Sequence, residues 1–296
     1  MGSIAEVDID LDDIRLRCLS AGPSDGPTVV FVHGFPDDAW SWRRQLDAFG
    51  AAGYRAFAPF LRGYPPSPVP VDVRTSSPAN ARDLVSLIGE LGGDVSLVGH
   101  DWGGLAAHGA IALAPSTIRS AAVVAVSHPA TLLGILEKPA LVHHLFHIWF
   151  FQLEGLAEDA LRANNFELID YLWDHWTHAG HDDREHVARL KNDVFAQPGV
   201  VETLLSYYRA LVRLPTDAPE FVAAVLEPTA VPTLAVWGSE DPARESAIGE
   251  HSFFSGAYEY REVPRAGHFV HRERPTTFNE VVLDFFARAR DSATAR

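Results

Sequence analysis

The ten residues Val95-Ser-Leu-Val-Gly-His-Asp-Trp-Gly-Gly104 constrain this chain more than any other stretch. A short apolar run, the pattern of a buried strand, passes directly into small residues with helical character over 105–114. Gly99 stands two residues before Asp101 and Gly103 two after. Glycines so placed let a strand turn sharply into a helix that packs close against it. The central side chain is then held exposed above a sheet, at a helix N-terminus. Most chains with this turn carry serine at its centre, and this one carries aspartate. Asp101 could be a helix cap and no more, so the rest of the chain has to decide.

Residues 7–11 and 14–19 alternate apolar and polar side chains, as half-buried strands do, and form a hairpin around Asp12-Asp13. Residues 28–33 (TVVFVH) are a strand of the kind buried on both faces of a parallel sheet. A helix over 40–52, a strand over 54–58, a proline-rich loop over 62–73 and a helix over 78–91 precede the turn at Asp101. A strand over 118–127 follows it. Strand and helix alternate, which predicts a mostly parallel α/β sheet covered by helices. From 129 to 228 the pattern is helical and rich in aromatics. Strands return at 233–237 and 258–263, followed by a helix over 275–290, with 291–296 frayed. The predicted organisation is an α/β core of residues 1–128 and 229–296, with a helical cap inserted over 129–228.

Three further motifs follow strands in the same order along the chain. His33-Gly-Phe-Pro36 follows the strand at 28–33, where a backbone donor for an oxyanion belongs. Gly238-Ser-Glu-Asp241 follows the strand at 233–237, and Ala266-Gly-His268 follows the last strand. Nucleophile, acid, then histidine is the order of the α/β-hydrolase fold. A serine attacking saturated carbon would leave an ether that the site could not cleave, whereas a carboxylate leaves an ester that water can cleave. Aspartate at the turn therefore points to substitution at sp3 carbon, and it is ionised at neutral pH without a base. That frees histidine for the second step. Gly22-Pro-Ser24-Asp-Gly26 matches the serine nucleophile string, but it precedes a strand and reads as a turn.

Together His33-Gly34-Phe35-Pro36, Trp40-Ser41-Trp42-Arg43, Gln45, Arg62-Gly63-Tyr64, Gly99-His100-Asp101-Trp102-Gly103-Gly104, Tyr207-Tyr208-Arg209 and Gly267-His268 resemble the α/β-hydrolase-fold epoxide hydrolases. The resemblance spans nearly the whole chain. It implies Asp101 as nucleophile, His268 as the base that activates water, Asp241 as its relay acid, and Tyr208 as proton donor to the epoxide oxygen. Backbone N–H groups of Phe35 and Trp102 would form the oxyanion hole. Many relatives place a second cap tyrosine just before a Phe-Gln segment, and here that alignment puts His147, with His143 and His144 as alternatives. Some members of the family use such a His/Tyr pair. His33, Phe35, Trp102, Trp149, Phe150 and Tyr207 are the expected substrate-lining residues, with Trp176 a further candidate.

The Asp101 turn and His-Gly-Phe-Pro are shared with haloalkane and fluoroacetate dehalogenases, which makes these the main rivals. Many haloalkane dehalogenases carry Asn where this chain has Phe35. Fluoroacetate dehalogenases carry Arg where it has Trp102. Both differences favour epoxide over halide. A ligand-binding protein on a dead scaffold would have no need of Asp101, Asp241 and His268 together.

Bulk properties narrow the partners. A formal net charge of −15 opposes nucleic acid and anionic membrane surfaces. The expected partner is a small-molecule epoxide, with the protein a monomer or homodimer and no cofactor. Cys18 is the one cysteine, so no internal disulfide forms. The opening residues show no secretory pattern, and Glu6 stands where a myristoylation motif needs Ser or Thr. The apolar run 141–153 is shorter than the roughly 20 residues that span a bilayer. A cytoplasmic protein is the expectation. Of 24 basic residues 22 are Arg, a composition that suggests a GC-rich bacterial genome. His175, His178, His181 and His186 with Asp182 and Asp183 read as a solvated face rather than a metal site, since no tight ligand motif is present.

Overall fold

A computed structural model describes residues 4–69 and 76–294. The last part of the proline-rich loop expected over 62–73 lies outside them, as do the first three residues. Eight strands make one sheet: β1 (Ala5–Asp10), β2 (Arg15–Ala21), β3 (Thr28–Val32), β4 (Arg55–Pro59), β5 (Val95–His100), β6 (Ile118–Val124), β7 (Thr233–Gly238) and β8 (Tyr258–Val263). Their order is β1-β2-β4-β3-β5-β6-β7-β8. β1 and β2 form the expected hairpin, and β2 pairs antiparallel with β4. All other neighbours are parallel.

The sequence pattern matches these roles. β3, β5 and β7 are buried at every residue, as strands covered on both faces must be. β1 alternates exposed and half-buried residues at the sheet edge. The covering helices of the core are α1 (Arg43–Ala51), α2 (Ser77–Glu90) and α3 (Trp102–Leu113). Ser76 caps α2 by accepting the Ala79 N–H, and Pro78 sits in its first turn, where the missing N–H costs nothing. Phe31 on β3 wedges between Trp42 and Phe49, with ring centroids 5.3 and 5.0 Å away. Each such buried ring contributes roughly 1.5–3 kcal/mol.

Between β6 and β7 the named elements among the described residues are all helical. They are a 3-10 stretch (Pro129–Glu137), α4 (Pro139–His144), α5 (Phe146–Phe150), α6 (Leu156–Trp176), α7 (Arg184–Leu190), a π turn (Lys191–Phe195), α8 (Val200–Asp217) and α9 (Pro219–Leu226). α6 is broken at residues 163–166, where the backbone leaves helical geometry. α10 (Val270–Glu273) and α11 (Pro275–Thr294) close the chain. α11 persists past the expected end at Arg290. α3 begins directly after Asp101 rather than at Leu105, and β6 stops at Val124, short of Ser127. The motif residues of β3, β5, β7 and β8 all follow the carboxyl ends of parallel strands, where α/β sheets place their ligands.

Candidate active site

Asp101 joins β5 to α3 with φ +51° and ψ −118°, a region that side-chain-bearing residues rarely enter. Backbone bonds hold it there. Its N–H donates to Val124 O at 3.2 Å, and its carbonyl accepts from Gly104 and Leu105 at 2.9 and 3.0 Å. Close approach demands glycine on both sides of the turn. A Cβ on Gly103 would lie 2.2 Å from Val32 O, and one on Gly34 would lie 2.4 Å from both Cβ and Oδ1 of Asp101.

The Asp101 carboxylate has two differently treated oxygens. Oδ1 accepts the Phe35 N–H at 2.8 Å. Oδ2 lies 3.9 Å from His268 Nε2. Burial pushes the carboxyl above its ordinary value, while the His268 charge and the N–H groups of Phe35 and Trp102 pull against that rise.

His268 Nδ1 stands 3.3 Å from Asp241 Oδ2, and its Nε2 has no hydrogen-bond partner among the described residues. Asp241 is fully enclosed, yet its pKa is held well below the carboxylate range: burial opposes this, and His144 and His268 outweigh it. His268 is raised. Burial alone would lower it, but Asp241, then Asp101 and Glu273, more than offset that. Glu240, next to Asp241 in the chain, turns away to His178 Nδ1.

Tyr208 and His147 stand across from Asp101. Their rings meet edge to face at 5.4 Å, and Tyr208 also packs edge to face on Trp102 and Phe35 at 5.0 and 5.4 Å. Burial and then the Asp101 charge push the Tyr208 hydroxyl well above its ordinary pKa, against a hydrogen bond from Trp102. Burial, then His268, His144 and His175, drive His147 well below the usual imidazole value. Its Nδ1 has no partner among the described residues. A cavity of about 80 Å³ is lined by Asp101, Trp102, His147, Trp176, Tyr208 and His268, with apolar residues such as Leu105, Ile148 and Leu211 between them. That is several times the roughly 10–15 Å³ one water needs and well under the roughly 300–1,000 Å³ of drug-sized sites. It suits a small ligand.

Residues 29–281 match the profile of the alpha/beta hydrolase family. The chain belongs to that family. It is 28% identical to the AB hydrolase superfamily protein YfhM of Bacillus subtilis, over 94% of this chain and 96% of that one. It is 30% identical to epoxide hydrolase 3 of Mus musculus, over 92% and 74% respectively. Among solved structures, a haloalkane dehalogenase loop variant from Bradyrhizobium elkanii superposes with TM-score 0.82 at 22% identity, covering 99% of this chain and all of that one (100%).

Several sequence expectations for this alpha/beta hydrolase need correction. Tyr207 does not reach the cavity, since its hydroxyl donates to Arg62 O at 2.7 Å and lies 3.1 Å from Asn80 Oδ1. His33 is also structural. Its Nδ1 lies 3.1 Å from Gly34 O, and its Nε2 accepts the Leu61 N–H at 3.1 Å. Phe150 lines a separate cleft with Phe146 and Tyr171, and Trp149 is exposed. The side chain of Phe35 packs behind Tyr208 rather than lining the cavity. The histidine–aspartate cluster is not one solvated face. His186 Nε2 meets buried Asp37 at 2.7 Å, and His181 and Arg272 share Asp183. Asp37, Asp38 and His186 lie close enough for a metal. Both oxygens of Asp38, however, are taken by Arg189, and Asp37 also accepts from Ser41, so the group reads as an ion-pair network.

Sequence reasoning missed the residues that brace the histidine loop. Glu273 accepts three backbone N–H groups: Gly267 at 2.9 Å, Phe269 at 3.0 Å and His178 at 2.7 Å. His100 Nε2 donates to His268 O at 3.0 Å, and the His268 N–H donates to Trp176 O at 2.8 Å. The only hints were the position of His100 beside Asp101 and a carboxylate one turn beyond His268.

Proposed function

We propose that this alpha/beta hydrolase opens small epoxides to vicinal diols through a covalent ester on Asp101. The observation that carries the reading is the split environment of the Asp101 carboxylate, with Oδ1 on a backbone donor and Oδ2 free toward the cavity, His268 and Tyr208.

Oδ2 attacks one ring carbon, the C–O bond opposite breaks, and the ring oxygen takes the Tyr208 proton. A hydroxyl with a raised pKa keeps its proton until an alkoxide forms and then gives it up. His147 is the second group on that oxygen. In the ester, Oδ1 is the carbonyl oxygen, already on the Phe35 N–H, and the Trp102 N–H at the start of α3 is the second donor of the proposed oxyanion hole. Such donors are typically worth about 10²–10³ in rate each. His268 takes a proton from water, and hydroxide adds to the Asp101 carbonyl carbon. The diol leaves with Oδ2 and the His268 proton. The carboxylic acid left on Asp101 then returns a proton to Tyr208. Asp241 orients His268 and stabilises its charge. Residues 129–228, which carry Tyr208 and His147, act as a lid that excludes water from the first step.

A second reading has one observation in its favour. Trp102, Trp176 and Trp237 line the cavity, and Nε1 of Trp176 and of Trp237 has no partner among the described residues. Indole N–H groups suit a departing halide. A halide needs no proton, however, and the Tyr208–His147 pair would then be idle. Diol formation from styrene oxide and 1,2-epoxyhexane, set against halide release from 1-bromobutane and fluoroacetate, separates the two. Diol without halide is the expected result, and halide without diol overturns the reading.

A further inference from the structure

Asp241 has a second imidazole beside it. His144 closes α4, within the helical stretch between β6 and β7, and its Nε2 lies 3.6 Å from Asp241 Oδ1. The His144 side chain is 8% exposed and that of Asp241 0%. Oδ1 also accepts the Ala243 N–H at 2.8 Å, while Oδ2 faces His268 at 3.3 Å. An ionised carboxylate offers about four acceptor sites, and a buried one short of partners is costly. With a single short hydrogen bond and one long one, Asp241 leans on His144.

We infer that His144 is a positioning residue for the proposed reaction: it holds Asp241 Oδ1 so that Oδ2 stays on His268 during ester hydrolysis. This rests on the ester mechanism above. The geometry also makes the helical stretch part of the relay, because α4 supplies the contact. Asp241 stays ionised despite complete burial, and after burial itself the side-chain contact with His144 weighs most in its pKa. The titratable groups around the pair are His268 and Asp101 on the core side, with His147 on α5, His175 on α6 and His143 on the same turn as His144. Of these only His144 and His268 touch the carboxylate. His144 also lines the cavity; as a positioning residue on Asp241 it acts on ester hydrolysis and leaves alkylation to Asp101, Tyr208 and His147.

The test separates the half-reactions. H144F and H144A remove the contact, and H144Q keeps an N–H donor at the same reach. Rapid quench with styrene oxide, read by intact-protein mass, follows formation and loss of the Asp101 ester. Loss of the ester slows about tenfold in H144F and H144A, the scale of one charge-assisted contact. Its formation stays within about twofold, and H144Q recovers most of the rate. A second readout needs no substrate: the low-field proton NMR signal of the His268–Asp241 bond persists in H144Q and shifts or broadens in H144F and H144A. Unchanged ester loss and an unmoved proton signal in both removal variants overturn the role of His144. No ester in the wild-type protein, with the signal still sensitive to His144, overturns the ester mechanism and leaves the contact with Asp241 standing.

Discussion

His268 Nε2 faces Asp101 Oδ2 across 3.9 Å, too far for a direct hydrogen bond. The same ring leans on Asp241 through Nδ1. An imidazole bound tightly to the nucleophile would hold it back from the substrate. In the proposed reaction, one set slightly off leaves Oδ2 free to attack and still stands beside the ester carbonyl carbon that water would reach afterwards.

Tyr208 and Tyr207 are adjacent, and their substitutions differ sharply. Y208F removes the hydroxyl beside His147 and Asp101, so kcat/KM for epoxide opening falls about a hundredfold, as loss of a general acid does. Y207F removes a hydroxyl bonded to Arg62 O and Asn80. It costs about 1 kcal/mol of stability and leaves kcat/KM within about twofold, because Tyr207 touches nothing that reacts. Steady-state assays of the two variants with one epoxide, alongside urea titrations, check both outcomes.

The pH dependence of the second step follows from the surroundings of His268. The base works neutral, and Asp241 and Asp101 hold its pKa above the ordinary imidazole value of about 6.5. Ester hydrolysis therefore rises with pH through the His268 midpoint, which lies below that of the free protein because Asp101 loses its charge once esterified and Asp241 is the chief group still raising the imidazole. In D241N the chief carboxylate partner is gone and burial dominates, so the midpoint falls as the maximal rate drops. Single-turnover rates between pH 5.5 and 9 give both midpoints, the span being set by the imidazole range of roughly 5–8.

Much of this architecture was legible in the chain. The fully apolar runs of β3, β5 and β7 announced buried parallel strands, and the glycines around Asp101 announced the turn. That Asp241 and His268 would lie side by side was legible because each sits in the loop after a parallel strand, and strand ends converge in a parallel sheet. The helical stretch was read far less well. Trp149 and Phe150 are aromatic and near His147 in sequence, but helix orientation places them on another side. Which face of α5 or α8 turns inward depends on packing against other elements, such as Trp176 and Tyr208 for His147 and Trp102 for Tyr208. The same holds for His144, whose partner Asp241 lies on another element, and for the contact of Glu273 with His178, although its other two partners, Gly267 and Phe269, are local.

Glu273 gives a stability prediction with a clear sign. In E273Q the amide keeps its carbonyl oxygen on the N–H groups of Gly267 and His178 and turns its NH2 toward the N–H of Phe269. Leaving that buried donor without an acceptor costs about 1–3 kcal/mol. Urea titration should show a lower midpoint with an unchanged slope, and the His268 loop should lose hydrogen-exchange protection before β5 does.

Every step of the proposed reaction passes through an ester between the substrate and Asp101. A single turnover in water enriched in heavy oxygen, with enzyme in excess over styrene oxide, reads that ester out. The first diol should carry no heavy oxygen, because its new oxygen comes from the Asp101 carboxylate, and the protein should gain the label at that residue. Heavy oxygen in the first diol, with none in Asp101, would mean that water attacks the epoxide directly and would contradict the account.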